Sequence, residues 1–221
     1  MAVSRDHAEV WRLEERLLGM RGDSTDKLEV QLSLISVCTA GDDRISARRH
    51  LENARQHAMR LEETAHFNAL TRRLALHLLH IGLPGEARPL LSEALLVAVT
   101  ADDTLSTVAL ACSLSAVCLE DASFDEARKL GALVVSSAAR RGNWLGVADG
   151  LITQSTCLLA TDDAMTEAIA LLLHGARRLN SAGASVAVNL IKARLGELRV
   201  SDEVRFDACL TDVLNQLARE T

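Results

Sequence analysis

The chain has 221 residues, 48% of them hydrophobic and 24% charged, an ordinary balance for a globular protein. A formal net charge of −6 gives the whole chain no basic footprint of the kind nucleic-acid binders carry. Two Pro, 2% aromatics and no Tyr argue against a sandwich or barrel, and the abundant Ala, Leu, Arg and Glu are strong helix formers. The reading is therefore all-α, with roughly 70% of the unfolded chain's surface expected to be buried.

The N-terminal segment, MAVSRDHAEVWRLEE, is charged and lacks an apolar core, so it is not read as a signal peptide. No stretch reaches the roughly eighteen apolar residues of a membrane span, and a cytoplasmic location is expected. A first helix over 4–21 carries Trp11, Leu13, Leu17 and Leu18 among Arg and Glu, suited to cap the first helical hairpin. Turn signals then fall at Gly22-Asp23-Ser24, Gly41-Asp42-Asp43, Leu83-Pro84-Gly85 and Thr100 to Asp103. Others fall at Glu120 to Ser123, Gly142-Asn143, Thr161 to Asp163, Ser181 to Gly183 and Val200 to Asp202. Gly accepts the left-handed backbone that closes a helix, and Ser, Thr, Asp and Asn cap the next one. Ten or eleven helices joined by short, antiparallel connections result.

Four segments repeat one another: DDRISARRHLENARQHA, GLPGEARPLLSEALLVA, DASFDEARKLGALVVSSA and DDAMTEAIALLLHGARRL. Each places an Ala just after its turn, Ala47, Ala87, Ala127 and Ala168, at spacings of 40, 40 and 41. Glu precedes three of them (Glu86, Glu126, Glu167), and a weaker fifth copy is read at Ala208. Eleven residues further stand Ala58, Ala98, Ala138 and Leu179; thirteen before stand Leu34, Leu74 and Leu114. Helices approach closely only where side chains are small, so a phased Ala marks a contact point and the Leu positions fill the space beside it.

This acid–Ala signature resembles the tetratricopeptide family, in long-repeat forms similar to those of bacterial signalling regulators. Ala54 and Ala94, then Val134 and Gly175, match its later small position; Ala75 and Ser115 match the small position of its first helix. The sequence departs from the family at the aromatic positions, held by Cys38, Leu78 and Cys118, in lacking the closing Pro, and in a period of 40. HEAT-type pairs share that period but usually lack the acid–Ala pair, and rank second. The resemblance implies a right-handed α-solenoid of stacked antiparallel hairpins in a single domain over 1–221. Four repeats would occupy 25–180, and a degraded fifth repeat with a closing cap 183–221. Phe206, Leu210, Val213, Leu214 and Leu217 would form the apolar side of that cap.

In that family the first helix of each pair lines a concave groove. The matching positions here are Ser36 and Thr39, then Arg72, Leu76 and His80, then Cys112, Ala116 and Glu120. The fourth copy carries an extra residue, which leaves its phase open between Ile152 and Thr156. Such a groove suits a peptide or helix of a protein partner, and a homo-oligomer is compatible with it.

No catalytic constellation or cofactor motif emerges, and neither nucleic acid nor membrane is an expected partner. His50, His57 and His66 with Glu52, and His77 with His80, have no metal-binding spacing and are expected to be exposed or hydrogen-bonded. The five Cys (Cys38, Cys112, Cys118, Cys157, Cys209) include no CxxC pair and read as buried free thiols without an activating base. The expected function is a protein-interaction adaptor, with a ligand-sensing module acting through another chain as the alternative and a His57- or His80-dependent hydrolase a distant third.

Overall fold

The computed structural model describes residues 5–22, 24–40, 43–161 and 164–219. Ser4, Asp23, Gly41, Asp42, Asp162, Asp163 and Glu220, which belong to the expected termini and turns, lie outside the described residues. The described residues form eleven helices and no strand: α1 (Arg5–Gly19), α2 (Thr25–Ala40), α3 (Arg44–Arg60), α4 (Thr64–His80), α5 (Pro84–Thr100) and α6 (Thr104–Glu120), followed by α7 (Phe124–Arg140), α8 (Trp144–Thr161), α9 (Met165–Ser181), α10 (Ser185–Ser201) and α11 (Glu203–Arg219). Each of α3 to α7 has 17 residues, about 25 Å at 1.5 Å per residue, which accommodates the long period. No described helix is long and apolar enough to cross a membrane.

The architecture is an α-solenoid of helix hairpins, and internal contacts divide it into two compact units, Met1–Ser106 and Thr107–Thr221. In the first unit α2 packs on α3, α3 on α4 and α4 on α5, with α1 against α2; in the second α7 packs on α8 and α8 on α9, with α10 against α8 and α9. The repeated residues do what small size predicts: Ala47, Ala87, Ala127 and Ala168 are fully buried, as are Ala58, Ala98 and Ala138. Leu34, Leu74 and Leu114 fill the core beside them.

Local chemistry sets the helix ends. Asp43, Asp103, Asn143 and Asp202 each accept the backbone N–H three residues on through a side-chain oxygen, at 3.1 Å. Between helices the chain passes through a left-handed residue: Gly82, Gly142 and Gly183, but also Glu62, Asp102 and Ala122. The break at Leu61–Glu63 carries no Gly, Pro or Asn, which is why the sequence signals skip it. A Cβ in this conformation costs about 1 kcal/mol, so Ala122→Gly is expected to stabilise by about 0.5–1 kcal/mol. An unchanged urea midpoint would count against it.

Several expectations at the two ends are corrected. Ala208 is exposed, and the fourth residue of α11, where the phased Ala stands in α3, α5, α7 and α9, is the buried Phe206. Only Asp202 separates α10 from α11, so the fifth copy is out of phase by two. On α1, Leu13 and Leu17 are half-buried while Trp11 and Leu18 are exposed. On α11, Phe206 and Val213 are buried, Leu210 and Leu217 half-buried, and Leu214 exposed. Among the thiols, Cys38, Cys118 and Cys157 are buried but Cys112 and Cys209 only half so; burial pushes the Cys38 and Cys157 thiols up.

In the second unit, α7 and α8 meet through two glycines. A Cβ at Gly150 would stand 2.7 Å from the Gly131 carbonyl oxygen and 2.7 Å from Val135 Cγ2; one at Gly131 would stand 3.0 Å from the Gly150 oxygen. The equivalent repeat positions hold Leu51, Leu91 and Leu172 for Gly131, and Leu70 and Leu110 for Gly150. Here backbone packs on backbone where the other copies interpose leucines.

Candidate functional site

Of the eight groove candidates, Ser36, Thr39, Arg72, Leu76, His80, Ala116 and Glu120 are exposed and Cys112 is half-buried. In the first unit, Thr39 and His80 come together with His77 around a recess of about 100 Å³. The His77 ring nitrogen Nε2 donates to the Arg44 carbonyl at 3.0 Å. Ser36 and Thr39 donate their hydroxyls back to their own helix, to the Leu32 and Ile35 carbonyls, so towards a partner they offer only lone pairs. Arg72 and Leu76 stand one turn apart on the same helix. In the second unit, Cys112, Ala116 and Glu120 line up along α6 at successive turns.

The phase of the fourth copy is set by where its first helix begins. Helices α4, α6 and α8 begin at Thr64, Thr104 and Trp144, so the period of 40 persists into α8 and the extra residue falls after Thr156. Ile152 and Thr156 thus both match, to Cys112 and Ala116, and both are half-buried. Arg194 of α10 reaches across and donates to Thr156 Oγ1 at 3.2 Å.

The histidines divide by role. His57 is fully buried; the Ser24 backbone N–H donates to its Nε2 at 3.1 Å and its Nδ1 bonds Gln31 Oε1 at 3.0 Å. The ring ties the start of α2 to the end of α3 and requires a proton on Nδ1 alone. His50 is buried too, against Glu14 at 3.4 Å, with its Nδ1 unpartnered. His57 is one of the hydrogen-bonded histidines expected, whereas His50 is buried with one ring nitrogen unsatisfied. His66 is exposed beside Glu63. Among the described residues no three His, Cys, Asp or Glu side chains converge as metal ligands would.

Burial holds the His50 imidazole below its ordinary 6.5, with Arg49 acting the same way and Glu14 opposing. Such a group favours the fold while neutral; its contribution is complete above 6.5 and declines as pH falls below it. The urea midpoint is expected to drop between about pH 7.5 and 5.5, and His50→Leu to reduce that drop. An equally steep drop in the variant would assign the effect to other groups.

Sequence reasoning missed an apolar cavity of about 330 Å³, which lies among α7, α8 and α9 in the second unit. Val135, Val147 and Leu151 form its wall, Trp144 one edge, and His174 with Arg178 line it from α9. Its signal in the sequence is a divergence between otherwise matched repeats, visible only once hairpin positions are paired across neighbouring helices.

No family model matches the sequence, and neither does any curated protein. Solved structures do match. BtubC (BKLC) from P. vanneervenii is 14% identical with a TM-score of 0.67, over 100% of this chain and 92% of that one. A Rap protein, solved in complex with competence and sporulation factor, is 15% identical with a TM-score of 0.56, over 96% of this chain and 61% of that one. At these identities the likeness establishes the fold, that of helical-repeat proteins, consistent with tetratricopeptide-like pairs.

Proposed function

We propose that the chain is a long-repeat tetratricopeptide-like interaction adaptor that holds a peptide or helix of a protein partner on its first-helix faces, and is not an enzyme. One observation carries this. Ser36, Leu76 and Ala116 recur at a spacing of 40 on α2, α4 and α6 and are each exposed, as are Arg72, His80 and Glu120. Small, apolar and polar side chains in that mixture suit a peptide or helix surface. The Rap protein with its bound factor supports the reading, since a related fold there holds a separate molecule.

Selection of a random peptide display library against the whole chain tests it. Selected peptides are expected to bind Leu76→Asp at least about tenfold more weakly, with the thermal melt unchanged. Equal affinity for Leu76→Asp and Ala116→Asp would remove the first-helix face as the site. A second reading, a ligand-sensing module acting through another chain, is favoured by the apolar cavity of the second unit.

A further inference from the structure

The cavity among α7, α8 and α9 gains meaning from its counterpart in the first unit. Helix starts place Val135, Val147, Leu151 and His174 at the repeat positions of Arg55, Phe67, Thr71 and Glu93. In the first unit those four side chains form one cluster that links α3, α4 and α5. The Arg55 guanidinium lies 4.9 Å from the centre of the Phe67 ring, its Nε donates to Thr71 Oγ1 at 2.9 Å, and its terminal nitrogen pairs with Glu93. Replacing Arg and Phe by Val at both positions removes the filling groups. Leu151 and His174 likewise stand for Thr71 and Glu93, and an apolar cavity lies there in the second unit.

The chemistry at its rim has also reversed. Where the first unit presents Glu93, the second presents His174, with Arg178 one turn further along α9. Among the described residues no acidic side chain lines the cavity. Neither the His174 nor the Arg178 side chain has an ion pair or hydrogen bond among the described residues. A guanidinium without a carboxylate beside an apolar hollow is the complement of an amphipathic acid. At the ~30 Å³ share of a water molecule, the volume admits about ten non-hydrogen atoms.

We infer that this cavity binds a medium-chain aliphatic carboxylate, its chain against Val135, Val147 and Leu151 and its carboxylate on Arg178 and His174. This site is separate from the first-helix faces and stands or falls without them.

The protein carries its own probe. Trp144 borders the cavity and the only other Trp is Trp11, so Trp11→Phe leaves a single reporter. Octanoate, with ten non-hydrogen atoms, is expected to give a saturable fluorescence change below about 1 mM. Octan-1-ol and octyltrimethylammonium should bind at least about tenfold more weakly. Arg178→Gln, at an exposed position, should weaken octanoate by a similar factor with the helical circular dichroism intact. The double variant Val135→Arg/His174→Glu should place the first unit's Arg–Glu pair across the hollow, stay folded and lose the response. No saturable change, an equally tight octan-1-ol response, or an octanoate response retained by the folded double variant would each overturn the proposal. Leu76→Asp should leave octanoate binding unaltered whatever it does to peptides.

Discussion

Gly150→Ala is expected to lower stability by about 1–3 kcal/mol, although Ala is the better helix former by about 0.5–1 kcal/mol. The new methyl group would sit 2.7 Å from the Gly131 carbonyl and from Val135 Cγ2, and 3.1 Å from the Val135 nitrogen. Two of these three atoms are backbone, so relief requires α7 and α8 to part along their length, loosening the packing of both. Gly150→Leu restores the residue that Leu70 and Leu110 supply elsewhere and should cost at least about 3 kcal/mol. Gly196→Ala supplies the control. Nothing lies within 4 Å of its added Cβ, so the same change in α10 should stabilise by about 0.5–1 kcal/mol. Urea titrations with a common m-value read all three. A Gly150→Ala protein as stable as the parent would mean the two helices separate freely.

Ala87→Glu should be more damaging, about 3–5 kcal/mol, enough to unfold a domain of ordinary stability. Ala87 is fully buried where α5 enters its contacts, so the substitution forces both bulk and a carboxylate without a cation into the core. Ser92→Glu, at an exposed position further along the same helix, should change stability by no more than about 0.5 kcal/mol. Parity between the two variants would show that the phased Ala is not a packing point.

The first substitution concerns a contact that no reading of one repeat reveals. Ala47, Ala87, Ala127 and Ala168 were legible because a helix-phase rule written four times over is a local property, visible at short range. Turns marked by Gly82, Gly142 and Gly183, and caps such as Asp43 and Asn143, are equally local. The break at Glu62 was not legible, because a strong helix former there adopts the left-handed conformation and no Gly, Pro or Asn marks the turn. The α11 register was misjudged at Ala208 for a related reason: a one-residue connection moved Phe206 into the buried position.

The candidate sites divide along the same line. The exposure of Leu76 and His80 on α4 and of Glu120 on α6 follows from helical phase, a local property of each helix. The Gly131–Gly150 approach and the hollow beside Val135 depend on pairs of side chains about 20 to 40 residues apart whose volumes must be summed in space. Periodicity reports which face a residue takes; it carries no measure of how much room the opposing helix leaves. That room is a property of the packed pair, so the repeat and its phase could be read from the chain, while the backbone contact and the cavity came into view only with the folded molecule.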